Sequence, residues 1–81
     1  NKMWTIKYCG AWNYRPYAEG LSAEINSKFY ETCEIEVGDN GQFEIYKSGV
    51  SILSKKEFGD FFTIEDVKKK LEELGQSFYA E

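Results

Sequence analysis

The chain has 81 residues, of which 42% are hydrophobic and 30% are charged, and its formal net charge is −4 at pH 7. A chain of this length builds one small core, so residues 1–81 are expected to form a single ordered domain. The acidic balance, without a gathered basic face, argues against nucleic acid as a partner. No apolar run is long enough to span a membrane and no signal-peptide pattern occurs, so no membrane partner is expected.

Cysteine and histidine usage narrows the chemistry further. The chain has two cysteines and no histidine, which is too few ligands for a protein-only zinc site and too few thiols for a secreted disulfide scaffold. We therefore expect no metal, no bound cofactor, a reducing cytoplasmic compartment and a monomer. Asn1 and Lys2 precede Met3 and are candidates for an expression remnant.

The first predicted element is a strand over residues 2–8. Trp4, Ile6 and Tyr8 alternate with other residues and so share one face of this strand. The strand reaches Cys9 without a breaker, and the turn Cys9-Gly10-Ala11-Trp12 follows it.

A helix is predicted directly after this turn. Asn13 is the expected N-cap, and Pro16 is compatible only with the first helical turn. The helix N-terminus therefore lies within a few residues of Cys9. The apolar face of the helix repeats every four residues, at Tyr17, Leu21, Ile25 and Phe29.

The second strand is predicted at residues 32–37. Cys33, Ile35 and Val37 alternate there with two glutamates, which indicates a strand with one buried face. The sequence Gly38-Asp39-Asn40-Gly41 then breaks the strand.

A hairpin and a second helix complete the pattern. Residues 42–47 and 50–55 are the predicted hairpin strands, and Ser48-Gly49 is the turn between them. Thr63 with Asp66 resembles a capping box at the start of the last helix. The apolar stripe of that helix is Ile64, Val67, Leu71 and Leu74, with Gly75 as its stop.

The predicted order is β-α-β-β-β-α, which is the minimal thioredoxin-like order. It corresponds to an α/β fold of the α+β sandwich type, with a four-stranded mixed sheet and two helices. The first two strands should be parallel, because a helix connects them, and the hairpin strands should be antiparallel.

This topology places the two cysteines at opposite edges of the sheet. Cys9 lies at the carboxyl end of the first strand, where open α/β sheets hold their sites, whereas Cys33 begins the parallel second strand. Five strand residues separate these edges by roughly 15 Å, and a disulfide needs Cα atoms within about 7 Å. We therefore expect no disulfide between them, and we interpret Cys33 as a core thiol.

Cys9 is the candidate reactive thiol. The N–H groups and positive dipole end of the following helix stabilise a thiolate, and Lys7 and Arg15 add positive charge nearby. These effects lower the pKa of Cys9, whereas desolvation by Trp12 and Tyr14 opposes them.

Two loops are expected at the same edge as Cys9, over residues 38–41 and 55–62. The second loop carries Phe58, Phe61 and Phe62, of which one or two should cap the core. Any ring left exposed would join Trp12 in an apolar patch that suits a protein partner.

The stretches YCGAWNYRP and GQFEIYKSGVSILSKKEFGD resemble the selenoprotein W branch of the selenoprotein T/W/H family. Members carry a Cys-x-x-selenocysteine or Cys-x-x-Cys site followed by Gly-Tyr-x-Pro. By position, Cys9 matches the first cysteine, Trp12 occupies the selenocysteine position, and Asn13 stands where glycine is common. The resemblance runs from about Ile6 to Leu74. Further matches are Tyr14, Pro16, Gly41, Phe43, Glu44, Ser54-Lys55-Lys56 and Gly59-Asp60.

The resemblance implies a thioredoxin-like fold and a thiol or selenol redox role, with selenium present as selenocysteine in the natural form. A selenolate at position 12 would attack a peroxide, in an antioxidant role, or a client disulfide, and Cys9 would resolve the intermediate. Glutathione or a thioredoxin is the implied reductant, and client protein thiols are the implied partners. Glutathione would contact Lys55 or Lys56 and the backbone of residues 38–41. The candidate catalytic positions are Cys9 and Trp12, and the candidate binding residues are Gly10, Ala11, Tyr14, Pro16, Gly41, Lys55, Phe58 and Phe61.

The departure from the family lies at Trp12, because an indole cannot replace a selenol or close a bridge to Cys9. The selenocysteine codon UGA differs by one base from the tryptophan codon UGG. One hypothesis is therefore that the natural residue is selenocysteine and that this chain is a read-through or substituted product. The alternative is a redox-inactive interaction module that uses Trp12 and the Phe58–Phe62 loop. A third, lesser option is the use of Cys9 alone, through a mixed disulfide.

Overall fold

A four-stranded mixed sheet with the strand order β2-β1-β3-β4 forms the centre of the molecule. A computed structural model describes residues 3–75. The strands are β1 (Met3–Cys9), β2 (Thr32–Gly38), β3 (Phe43–Lys47) and β4 (Val50–Ser54), and the helices are α1 (Arg15–Glu24), α2 (Lys55–Phe58) and α3 (Ile64–Glu73). The predicted fold class is confirmed, as are the parallel pairing of β1 with β2 and the antiparallel hairpin of β3 and β4. The single-turn helix α2 is an addition to the two predicted helices, and it lies in a segment that was expected to be a loop.

The register of the sheet separates the two cysteines as predicted. β1 and β2 are parallel, with Trp4 opposite Cys33 and Cys9 opposite Gly38. β1 is antiparallel to β3, and β3 is antiparallel to β4. Because β1 is a central strand, Trp4, Ile6 and Tyr8 are all buried in the core. Among the described residues, both cysteines are free thiols.

The predicted inward face of β2 is wrong at its carboxyl end. Cys33 is buried and Ile35 is partly buried, but Val37 is 65% exposed. β2 is an edge strand, so its far end extends beyond the core. Val37 instead lies beside the turn after β1, since a Cβ added to Gly10 would be 3.1 Å from Val37 Cγ1.

The start of α1 differs from the prediction by one residue. The N-cap is Tyr14 rather than Asn13, and Pro16 lies in the first turn as expected. Asn13 adopts a left-handed conformation with φ of 61°, which removes it from the N-cap position. Asparagine is among the few residues other than glycine that tolerate this conformation. This explains how asparagine can occupy a position where the resemblance noted above leads one to expect glycine.

The rest of the first helical segment buries most of its predicted face. Ala18 and Leu21 of α1 are buried, and a π-helical turn over Ile25–Phe29 buries both of its end residues. Tyr17 is mostly exposed, contrary to the prediction, because it packs against the loop after α2 rather than into the core.

The hairpin turn and the last helix form as predicted. Ser48 and Gly49 both have positive φ, as type I′ turns require. Thr63 and Asp66 form a reciprocal capping box, in which each side chain accepts the other residue's backbone N–H. Leu74 is exposed and lies beyond the end of α3, so the buried stripe stops at Leu71.

Candidate functional site

The site is built around Cys9, the last residue of β1. Its side chain is fully buried. Its backbone N–H donates to the carbonyl oxygen of Gln42 at 2.7 Å, and Gly38 is its partner in β2. Cys9 is therefore held on both sides by the chain that connects β2 to β3.

Backbone N–H groups control the acidity of the Cys9 thiol. Burial raises the pKa of Cys9, but hydrogen bonds from the N–H groups of Gly41, Ala11 and Trp12 lower it, and the net pKa lies below the ordinary value of 9.0. The predicted source of this effect was the N-terminus of the helix. The structure assigns it instead to the turn after β1 and to the loop between β2 and β3, because α1 begins only at Arg15.

The two cations that the sequence placed near Cys9 are engaged elsewhere. Lys7 Nζ lies 5.3 Å from the centre of the Tyr46 ring. Arg15 pairs with Glu19 at 2.8 Å and donates to the Tyr8 hydroxyl at 3.0 Å. Within residues 3–75, the interactions that set the pKa of Cys9 include neither cation. The expectation that these charges acidify Cys9 is therefore wrong.

Position 12 contrasts with position 9 in its exposure. The Trp12 side chain is 59% exposed. One edge of its ring lies over Gly41, since a Cβ added to that glycine would be 3.1 Å from Trp12 Cζ3. The turn therefore presents the side chain of residue 12 to solvent while it buries the sulfur atom of Cys9.

An aromatic cluster of Trp12, Tyr14, Tyr17 and Phe61 lies beside the turn. The centre of the Tyr14 ring is 6.1 Å from that of Trp12 and 4.8 Å from that of Phe61. Phe61 stacks on Tyr17 at 3.9 Å. Lys55 extends over the cluster, with its Nζ atom 5.2 Å from the centre of the Phe61 ring. The structure thus brings Lys55, Tyr14 and Phe61 together near position 12.

The three phenylalanines after β4 separate into different environments. Phe62 is buried in the core, as expected for one ring of this loop, and Phe61 is partly buried. Phe58 is exposed, contacts Phe62, and lines a depression with Leu53 and side chains of α3. Phe58 therefore lies with α3 and not with Trp12, which corrects the predicted membership of the aromatic patch.

A cleft of about 660 Å³ lies between the β2–β3 loop and α2. Gly41 and Gln42 line one side of this cleft, and Lys56 and Glu57 line the other. Of the two lysines predicted to contact glutathione, Lys56 faces this cleft, whereas Lys55 covers the aromatic cluster. The remaining predicted binding residues, Gly10, Ala11 and Pro16, are exposed along the turn and the start of α1.

Sequence reasoning missed Gln42 as a functional candidate. Its position after Gly41 gave no signal, because a glutamine in a loop is ordinary. Only the folded structure shows that its carbonyl oxygen accepts from Cys9 and that its side chain closes the loop.

Neither a metal-binding cluster nor a membrane-spanning helix occurs in the part of the chain that the structure describes. Residues 3–75 contain no group of His, Cys, Asp or Glu side chains that could hold a metal ion. In the same part of the chain, no helix has both the length and the apolar character needed to cross a membrane.

Comparison with known proteins identifies the family. The family model described as Rdx family matches residues 4–73. This chain belongs to the Rdx family. A crystal structure of a selenoprotein W-related protein from Vibrio cholerae matches with a TM-score of 0.80 and 27% identity, over 91% of this chain and 96% of that one. The resemblance to selenoprotein W and the thioredoxin-like fold are thereby confirmed.

A second crystal structure supports the fold alone. It is a protein from Bordetella parapertussis, with a TM-score of 0.78 and 21% identity, over 90% of this Rdx chain and 96% of that chain. No curated protein matches the sequence significantly.

Proposed function

We propose that this Rdx chain is the scaffold of a thiol/selenol oxidoreductase whose natural residue at position 12 is selenocysteine, and whose redox pair is broken here by Trp12. The observation that carries the proposal is the environment of Cys9. Its sulfur atom is buried, yet three backbone N–H groups stabilise its thiolate. A core cysteine does not need such donors, whereas a resolving thiol does.

The difference in exposure between positions 9 and 12 supports a different role for each. A bulky disulfide can reach position 12, where the side chain is 59% exposed. It cannot reach the buried sulfur atom of Cys9. Position 12 is therefore the proposed place of attack, and Cys9 is the proposed resolving thiol. A selenol at position 12 would supply a nucleophile that is largely ionised at neutral pH.

The chemistry can be written for a Trp12→Cys chain. The introduced thiolate attacks one sulfur atom of a client disulfide, and the client's other sulfur atom leaves as a thiolate. The Cys9 thiolate then attacks the introduced sulfur atom, so a disulfide forms within the protein and the second client thiolate leaves. The client gains two electrons and the protein loses two. Two glutathione thiols would return the protein to its dithiol form and leave as oxidised glutathione.

Glutathione is the proposed reductant, with a thioredoxin as the alternative, in a cytoplasmic setting. The cleft beside Gly41 supports this choice, because its walls carry both a lysine and carboxylates. A tripeptide with an amino group and two carboxylates can pair with both signs of charge. The clients are proteins with accessible disulfides.

The burial of Cys9 argues against its use as a single thiol. A mixed disulfide between Cys9 and glutathione would require room around a side chain that is 0% exposed. The turn over residues 10–13 would have to open to provide that room.

A redox-inactive interaction module is the second candidate, and the exposure of Trp12 favours it. Its indole lies at the edge of the aromatic cluster, which presents a large apolar side chain to solvent. In this alternative, the backbone N–H groups around Cys9 only stabilise the conformation of the turn.

The experiment compares the parent chain with Trp12→Cys. After treatment with oxidised glutathione, Trp12→Cys should lose the mass of two hydrogen atoms, and it should then reduce a disulfide substrate with glutathione as the electron source. Trp12→Ser removes the indole without adding a thiol, and Trp12→Cys with Cys9→Ser removes the resolving thiol. Both controls should fail to form the internal bridge. Absence of a bridge and of turnover in Trp12→Cys would favour the interaction module.

The identity of the natural residue has its own test. The gene should carry UGA at the codon for the residue numbered 12 here, and protein purified from the native host should contain one selenium atom by intact mass. A UGG codon, with protein that lacks selenium, would overturn this part of the proposal.

A further inference from the structure

Gln42 uses both its backbone and its side chain to close the β2–β3 loop over Cys9. Its carbonyl oxygen accepts the Cys9 N–H at 2.7 Å, and its N–H donates to the Asp39 carbonyl oxygen at 3.1 Å. Its side-chain Oε1 accepts the Asp39 N–H at 2.8 Å, and its Nε2 donates to Glu44 Oε1 at 3.0 Å. All four polar groups of this residue are therefore engaged.

Gly38 provides the space that the Gln42 side chain occupies. A Cβ added to Gly38 would collide with Gln42 Oε1 and would lie 3.0 Å from the amide carbon. Gly38 is also the β2 partner of Cys9. The folded-back amide, Gly38 and Cys9 are thus packed as one unit at this edge of the sheet.

We propose that Gln42 is a positioning residue of this site, which holds the β2–β3 loop closed so that the Gly41 N–H stays directed at the sulfur atom of Cys9. Gly41 directly precedes Gln42 and has a φ of +78°, so the direction of its N–H depends on how the next residue is anchored. The Gly41 N–H bond to Cys9 is among those that lower the pKa of that thiol. This inference rests on the proposed function only for the use of the Cys9 thiolate as a resolving thiol.

The charged groups around this loop lie on the loop itself and on three neighbouring elements. Asp39 and Glu44 belong to the loop and β3, Lys7 lies beside Gly38 on β1, and Lys56 and Glu57 of α2 lie across the cleft. Gln42 itself is neutral. Replacing it by methionine removes both side-chain hydrogen bonds at nearly constant size and leaves every one of these charges in place.

The experiment follows the ¹³Cβ resonances of Cys9 and Cys33 against pH in the parent chain and in Gln42→Met. The thiolate fraction of Cys9 at pH 7 should fall roughly threefold to tenfold, since a hydrogen bond to a charged group is weakened. The titration of Cys33 should not change, which separates positioning from a general loss of structure. Asn40→Ala, at an exposed position in the same loop, is the matched control and should leave both titrations unchanged. An unchanged Cys9 titration in folded Gln42→Met would overturn the proposal.

A second variant displaces the same side chain without altering it. Gly38→Ala forces the Gln42 amide out of its place and should also lower the thiolate fraction of Cys9 at pH 7. This variant keeps the test available if Gln42→Met does not fold. In the double variant the two shifts should not add, because both act through one side chain. Additive shifts would contradict the inference. These titrations need no turnover, so inactivity of Trp12→Cys would remove the proposed function and leave this inference standing.

Discussion

Cys9 and Cys33 are both buried, yet their surroundings drive their acidities in opposite directions. At Cys33, burial raises the pKa of the thiol, a hydrogen bond with Ser22 lowers it, the charge of Glu34 raises it, and the net pKa is raised. At Cys9, burial also raises the pKa, but the backbone N–H groups outweigh it. Burial alone therefore does not decide whether a cysteine is inert.

The difference arises from where each cysteine lies along its strand. Cys33 is near the start of an edge strand, opposite Trp4 of β1, and within residues 3–75 no backbone N–H group is among the interactions that set its pKa. Cys9 ends a central strand, where the chain turns and leaves N–H groups that point at the sulfur atom. The turn after a central strand thus provides donors to Cys9 that the start of an edge strand does not provide to Cys33.

The largest effect on this comparison should come from Gly41→Ala. A side chain at φ of +78° is strained, and the new Cβ would lie 3.1 Å from the Trp12 ring, so the free energy of unfolding should fall by about 1–2 kcal/mol. The disturbed N–H should also raise the pKa of Cys9. Chemical denaturation and the ¹³Cβ titration measure the two effects.

Gly49→Ala is the matched control for this substitution. Its φ is +83°, and an added Cβ would meet no atom within 4 Å among residues 3–75. It should lower the free energy of unfolding by about as much as Gly41→Ala does, and it should leave the pKa of Cys9 unchanged. An equal shift of Cys9 in both variants would show that the pKa follows stability rather than the Gly41 donor.

A smaller effect is expected in the pH dependence of stability, where the two cysteines should act with opposite signs. The pKa of Cys9 is lowered in the folded state. The Cys9 thiolate therefore adds to the free energy of unfolding above pH 9.0, and this addition is lost as pH falls through the folded pKa. The pKa of Cys33 is raised, so its contribution is present below 9.0 and is lost as pH rises through the folded pKa.

Serine variants measure these two contributions separately. In the parent chain, the free energy of unfolding should rise as pH approaches 9.0 from below, and this rise should be absent in Cys9→Ser. The free energy of unfolding should fall again above pH 9.0, and this fall should be absent in Cys33→Ser. The same pH profile in both variants would contradict the assignment of opposite shifts.

The smallest effect is expected from the cation nearest to the turn in sequence. Arg15→Gln should cost less than about 1 kcal/mol of stability, because its ion pair with Glu19 is exposed. It should leave the Cys9 titration unchanged, since the donors around that thiol are backbone groups. Glu19→Gln removes the same ion pair but keeps the hydrogen bond from Arg15 to Tyr8. A raised Cys9 pKa in Arg15→Gln alone would restore the electrostatic role expected from sequence.

The sequence predicts the features of this fold that depend on near neighbours. The alternation of Trp4, Ile6 and Tyr8, the capping box at Thr63 and the turn at Ser48-Gly49 all depend on residues a few positions apart. The parallel pairing of β1 with β2 also follows, because a helix between two strands favours a parallel pair. The opposite placement of the two cysteines is a direct consequence.

The details of the site depend on tertiary contacts, and the sequence predicts them less well. Val37 follows the alternation of a buried strand, but its exposure depends on β2 lying at the sheet edge. Arg15 is close to Cys9 in sequence, but Glu19 and Tyr8 bind its side chain. The Gly41 donor comes from a loop about thirty residues away from Cys9, and its direction depends on how that loop closes.

The most direct test of the account is a ¹³Cβ pH titration of Cys9 and Cys33 in the unmodified chain. Cys9 should titrate below 9.0 and Cys33 above 9.0, although both side chains are buried. A Cys9 midpoint at or above that of Cys33 would contradict it, because the backbone donors would then fail to offset burial. The site would in that case hold an ordinary core thiol.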